Sequence, residues 1–171
     1  MSKPSFLAQA VLEPMLNTAR KNLERDGYLV PVLFVQASIA GLQIGSLMLP
    51  QTPEQKRRYL AGLGSAFRQR DQMIRSAAML SESWFVNAQE TPGTMTIPPS
   101  KHPDRQEAIS LIGRDANKTR ITHVIKPITR DAQNRPLCGD PVIAFYNEPA
   151  QTTGKFNSLL DYLFLANKGV K

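Results

Sequence analysis

Cysteine occurs once in this chain, at position 138. A single thiol excludes an internal disulfide, a CxxC redox pair and a cysteine zinc cluster. Beside Gly139, Cys138 reads as a small apolar residue rather than a nucleophile. Apolar runs are short. Nothing approaches the roughly 18 residues of a membrane span, and "MSKPSFLAQA" carries too little apolar sequence for a signal peptide. The most apolar stretch, "GYLVPVLFV", is interrupted by Pro31. These absences lead us to expect a soluble, cytoplasmic protein without membrane contact. No glycine-rich phosphate loop or dinucleotide fingerprint is present, so no cofactor is expected. Acidic side chains are the minority, 14 against 21 Lys and Arg, for a net charge of +7. That balance favours solubility and attraction to polyanions, without naming a partner.

What is present fits one ordinary globular domain. A chain of 171 residues with 42% hydrophobic and 20% charged residues can bury a core without staples. Leu12, Leu16, Ala19 and Leu23 form one helical face, with Pro14 at its start or at a kink and Asp26-Gly27 as its stop. "YLVPVLFVQ" and "LQIGSLMLP", joined by "SIAG", read as a hairpin. In "PQTPEQKRRYLAGLGSAFRQR", Thr52 is a natural helix cap for the amide of Gln55, and Pro53 suits the first helical position. Leu60, Leu63 and Phe67 give this helix an apolar stripe, while Gly62 and Gly64 weaken it by about 1 kcal/mol each.

The runs "SAAMLSESWFVNA", "QEAISLIGR", "TRITHVIKPIT" and "PVIAFYN" are strand-like. A polar loop over 88–105 follows the first, and the links "RDANKTR" and "RDAQNRP" carry turn chemistry. "KFNSLLDYLFLANKG" closes the chain as a helix ending at Gly169. Phe156, Leu160 and Leu163 define one face, and Tyr162 and Leu165 lie off it. A helix apolar nearly all round is central in its domain or contributes to a subunit interface, and Tyr162 and Leu165 are the candidate interface residues. We expect an α+β domain over residues 1–171, a largely antiparallel five-stranded sheet with three helices in the order α-β-β-α-β-β-β-α.

This order of elements resembles the profilin-like group, including longin and roadblock domains, which are mostly scaffolds and regulators. In wording, "LERDGYLVPVLFV", "SESWFV" and "PPSKHPDRQEA" resemble an uncharacterised family of bacterial and phage proteins over about residues 20–130. Members of that family are similar in a Glu-x-Trp strand followed by a Pro-Ser-x-His-Pro-Asp-Arg loop. The resemblance implies no activity.

Two places could carry chemistry. On an alternating strand, Ala78, Leu80, Glu82, Trp84 and Val86 share a side. A carboxylate there is costly unless it is paired or hydrogen-bonded. Either the face is half exposed or a bulge turns Glu82 to solvent, or Arg105 or Arg114 pairs with it, or it is a reacting group. Trp84 is expected in the core, or else as a ligand platform. In "PPSKHPDRQEA", a catalytic reading uses His102 as general base, Asp104 or Glu82 to orient it, and Arg105 to hold an anion. His102, Asp104 and Glu107 offer three metal-ligand types, but no metal is assigned. Ser100 lacks the Gly-x-Ser-x-Gly turn that exposes a nucleophile. Pro103-Asp104 would suit a restriction-type nuclease only with an acid two residues before a lysine. Val124 and Ala116 stand there, ahead of Lys126 and Lys118. The alternative is structural: Pro103-Asp104 as a turn and His123 as an ordinary half-buried strand residue.

Basic groups cluster over 56–75 and 114–135, where Arg57 and Arg68 share a helical flank. Three functions follow. The leading expectation is a non-catalytic binding or assembly module acting as a homodimer. The second is a protein bound to nucleic acid or another polyanion, with Arg57, Arg68, Trp84 and Arg105 as contacts. The third is a hydrolase or metal-dependent enzyme built on Glu82, His102, Asp104, Arg105 and Glu107.

Overall fold

The computed structural model describes residues 9–86, 97–117, 121–146 and 155–169. Three helices accompany one antiparallel sheet, so the fold is α+β. Helix α1 (Gln9–Asp26) contains Pro14 without breaking there. It ends as its sequence requires: Gly27 adopts a φ of 80° and its amide bonds to the carbonyl of Leu23 at 2.8 Å. Strands β1 (Val32–Ala37) and β2 (Gly41–Ser46) form the hairpin. Helix α2 (Pro53–Gln69) begins at Thr52, whose hydroxyl accepts the amide of Gln55 at 3.3 Å.

Strands β3 (Ile74–Phe85), β4 (Gln106–Asp115) and β5 (Ile121–Arg130) follow, with β6 (Pro136–Cys138), β7 (Val142–Tyr146) and helix α3 (Lys155–Lys168). Among the described residues the sheet thus holds seven strands; the expected five counted only three of the four strand-like runs after α2. All four strand-like runs after α2 pair, and Pro136–Cys138 adds a short strand inside what reads as a link. Strand order is β2-β1-β3-β4-β5, and the outer edge of β5 is shared by β6 and β7. Much of the loop expected over 88–105 lies outside the described residues, as do the last residues of "RDANKTR". In the other link, Asp131 accepts the amides of Gln133 and Arg135 at 2.9 and 2.8 Å, and Asn134 takes a φ of 61°. The Arg135 amide is the main reason the Asp131 carboxyl sits below its ordinary pKa.

The period-two alternation of the strands sorts the core into two layers. On one face Leu12, Leu16, Ala19 and Leu23 of α1 meet Phe34, Leu80, Ile109, Leu111 and Val124. On the other face Leu60 of α2 and Leu160, Leu163 and Phe164 of α3 meet Leu33, Val35, Met79 and Ile112. α3 lies against both the sheet and α2, which accounts for its broad apolar surface. Gly64 lets the two helices approach: a Cβ there would overlap the backbone carbonyl of Leu163 and lie 3.2 Å from the Cβ of Ala166. Asn167, buried at this crossing, ties three elements. It accepts the amide of Ile74 at 2.9 Å and donates to the carbonyls of Gln72 at 2.8 Å and Gly64 at 3.3 Å.

Candidate functional site

Ladder register decides what the candidate residues can reach. Glu82 lies opposite Ile109, and Trp84 opposite Glu107, so Glu82, Trp84 and Glu107 share the α1 face. Glu82 does have a partner, but not an arginine. Its carboxylate accepts the backbone amide of Leu29, just beyond the end of α1. The expected pairing with Arg105 or Arg114 is therefore corrected. Arg114 projects from the opposite face to Asp161 of α3, and Arg105 rests on Trp84 with its guanidinium 4.9 Å from the ring centroid. Trp84 is 41% exposed, so the expectation of a core residue is also corrected. It lies too far along the α1 face to be covered by α1, which packs against β4 and β6. Glu107 bonds to Arg130 at 2.8 Å.

The Pro-Ser-Lys-His-Pro-Asp-Arg segment is a self-bonded knot. Pro99–Lys101 forms one 3₁₀ turn, with the amide of Lys101 on the Pro98 carbonyl at 2.9 Å and that of His102 on the Pro99 carbonyl at 3.2 Å. His102 is only 3% exposed. Its Nδ1 accepts the amide of Asp104 at 3.1 Å, which puts the proton of a neutral ring on Nε2. The Asp104 carboxylate stays outside, 3.9 Å from Nδ1 and largely solvated. Arg105 closes the turn onto the Ser100 carbonyl at 3.2 Å. The prolines hold the backbone extended, and the imidazole does the work of an acceptor inside the turn. A general base whose Nδ1 is taken by its own loop and whose ring is covered has no route to a substrate through that nitrogen.

The five catalytic candidates are thus brought to one end of the sheet but not aimed at a common point. Four have a local structural partner, namely Leu29 for Glu82, the Asp104 amide for His102, Trp84 for Arg105 and Arg130 for Glu107, while the Asp104 carboxylate faces solvent. Among the described residues, no three His, Cys, Asp or Glu side chains are grouped to hold a metal ion. Cys138 packs at the margin of the α1-side core. Burial raises its thiol pKa, Glu24 adds to that, and Lys126 and Arg20 oppose it, so thiolate is disfavoured.

The basic residues are also largely engaged. Arg57 lies 5.6 Å from the ring centroid of Tyr162, and Arg68 reaches Gly169 at the end of α3. Arg58 pairs with Glu54 at 2.5 Å, and Arg135 with Asp131 at 2.7 Å. Of the candidate interface residues, Tyr162 is half-buried beneath Arg57 and Leu165 is exposed. Both line a depression of about 330 Å³ with Arg114, Asp161, Phe164 and Lys168.

Sequence reasoning missed three arrangements. One is the ion pair of Arg114 with Asp161, whose signal was the lone acid of the last helix, set within the apolar run Leu159–Leu165. Another is Asn167, which nothing in its neighbourhood distinguishes. The third is Ser110, whose hydroxyl meets Nε2 of His123 at 3.3 Å on the α2–α3 face. Ser110 is buried, so this pair is a strut between β4 and β5 rather than an exposed nucleophile and its base.

Burial lowers the pKa of His123. An unfolded imidazole, with a pKa of about 6.5, therefore takes up its proton before the folded one does. As pH falls through about 6.5 the unfolded state binds more protons, so stability declines until the depressed folded value is passed. The denaturation midpoint is expected to be lower at pH 5.5 than at 7.5. His123→Gln, which keeps a polar partner for Ser110 but does not titrate, should reduce that difference. An unchanged pH dependence in the variant would remove His123 as its source.

Among the described residues, no helix is long and apolar enough to cross a membrane. No protein-family model matches this chain, and comparison with curated proteins and with solved structures gives no significant match.

Proposed function

We propose that this chain is a non-catalytic binding or assembly module that acts as a homodimer. The observation that carries the reading is the edge of the sheet at β2. Every residue of that strand from Leu42 to Ser46 is exposed, and Ile44 is 62% exposed. Ile39 and Met48 extend the apolar surface on either side. Soluble proteins blunt open edges with charges, prolines, bulges or a covering element. "GLQIGS" contains no charge and no proline, and pairs with β1 without a bulge. A strand left in that state is suited to pairing with another chain.

Two further features support assembly over chemistry. Four of the five candidate catalytic side chains, all but Asp104, are spent on local contacts, and Arg57, Arg58, Arg114, Arg130 and Arg135 face carboxylates or rings of their own fold. The latter weakens the polyanion reading, because phosphate binding needs cations that are free to replace counterions.

Light scattering on the full chain tests the proposal. A particle of twice 19.0 kDa is expected, dissociating on dilution. A strictly monomeric mass at roughly 100 µM would reject the homodimer, since assembly is driven by concentration.

A further inference from the structure

We infer that two copies join through β2 in antiparallel register, with the two-fold axis at Ile44. This rests on the homodimer reading and specifies its geometry. The amide of Leu47 bonds to the carbonyl of Pro31 at 2.7 Å, which fixes the phase of the β1–β2 ladder. Inward and outward backbone groups alternate in such a ladder. Residues 43, 45 and 47 therefore bond toward β1, whereas Leu42, Ile44 and Ser46 turn their N–H and C=O groups to the open edge.

Those three residues are symmetric about Ile44. In an antiparallel pair centred there, Ile44 meets its own copy and Leu42 meets Ser46 twice. Each such pair exchanges two hydrogen bonds, so every outward donor and acceptor of the strand is satisfied. Within Gly41–Ser46, a shifted register leaves at least one of them without a partner in the same strand. Side chains agree with the backbone. Ile44 lies opposite Phe34, whose side chain packs on the α1 face, so the two Ile44 side chains would be neighbours on that face. On the other face Gly45 has nothing within 4 Å of its Cβ position, and a groove of about 160 Å³ runs between β2 and Tyr59, Leu63 and Phe67 of α2. That flat side leaves room for a second strand.

Charge admits a second copy as the occupant here, where it opposes one over most of the rest of the surface. The chain carries +7, so most surfaces repel a copy of themselves. Residues 27–53 contain no Asp, Glu, Lys or Arg, and β2 lies inside this run. It is a surface on which two identical cationic chains can meet without like charges opposed.

The test compares the wild type with Ile44→Lys and Ile44→Pro by light scattering across a dilution series. Proline at 44 removes only an outward amide, so the β1 ladder keeps its bonds. Lysine opposes two like charges at the axis and should weaken self-association roughly 100-fold. In a Cys138→Ser background, Ile44→Cys should be captured as a dimer by a short bismaleimide linker. A dimeric wild type, monomeric Lys and Pro variants with unchanged circular dichroism, and efficient capture are expected. If proline disrupts folding, the lysine variant and the capture decide. A wild type that stays dimeric when Ile44 becomes lysine, with no capture at 44, would overturn the register and leave the homodimer standing. A monomeric wild type would overturn both, and would leave the edge to a strand from a different protein.

Discussion

Gly64→Ala is expected to destabilise the protein by about 3 kcal/mol, the upper part of the range for overpacking a close-packed site. The reason is that the new methyl meets backbone. A Cβ at 64 would overlap the Leu163 carbonyl, and a carbonyl in a helix cannot rotate aside as a side chain can. The helices must separate, which also pulls Asn167 from the carbonyl of Gly64 and disturbs its bonds to Ile74 and Gln72. Gly62→Ala, two residues away, is the control. Nothing lies within 4 Å of its Cβ position, so the better helix propensity of alanine should stabilise by up to about 1 kcal/mol. Urea denaturation should therefore separate the two variants by about 4 kcal/mol, in opposite directions from wild type. In thermal melts the first should fall by roughly 6–12 °C for a chain of this size. If both substitutions stabilise, the α2–α3 approach is looser than the geometry requires.

The contrast between these glycines shows where sequence reasoning stops. Both sit in the same helix and both read as weaknesses of propensity. Only the position of α3, an element some hundred residues later, makes one of them necessary. Element identity, by contrast, is local. Thr52, Pro53 and Gln55 announce the start of α2, and Gly27 and Gly169 announce two helix ends, because capping involves neighbours in the chain. Strand count was less legible. β6 has three residues within a link rich in turn chemistry, too few to leave a periodic pattern. The exposure of β2 was hidden for a related reason. Its apolar residues at 42 and 44 look like the buried half of a strand, and only the sheet order leaves them at an edge.

The candidate site was legible as a set of needs more than as a set of partners. Glu82 on an apolar-looking face needed either solvent or a donor, and half-buried it has a donor. That the donor is a backbone amide 53 residues earlier depends on how α1 enters β1, and no spacing encodes it. Trp84 and Arg105 were both singled out, and they meet. For His102 the sequence says only that Pro103 bars it from a helix, which leaves both a general base and a structural loop residue open. The tight 3₁₀ turn folds the ring inward to accept the amide of Asp104.

Asp161→Ala is expected to cost about 3 kcal/mol, because it leaves a nearly covered charge without its counter-ion. Arg114 is 1% exposed in the middle of β4. Burial presses its pKa down and Asp161 presses it back up, so the carboxylate is the main reason the guanidinium tolerates its place. Phe164 lies 4.7 Å from it, centroid to carbon, and covers one face. Asp115 supplies a smaller favourable field, which should keep the loss below the 5 kcal/mol or so seen when a buried ion is left alone. The Nε of Arg114 has no hydrogen-bond partner, so the pair is already incompletely satisfied before any substitution. That predicts an asymmetry. Replacing both partners, as in Arg114→Met with Asp161→Leu, should recover most of the stability lost by Asp161→Ala, since two apolar side chains need no compensation. A double-mutant cycle in urea built from Arg114→Met, Asp161→Leu and their combination measures the coupling, expected at about 2 kcal/mol or more. If the single and double variants lose the same amount, the cost comes from packing at the α3 contact and the ion pair contributes nothing of its own. Recovery in the double variant would mean that α3 is held to the sheet chiefly by its apolar face, and that the ion pair only prevents one buried charge from opposing it.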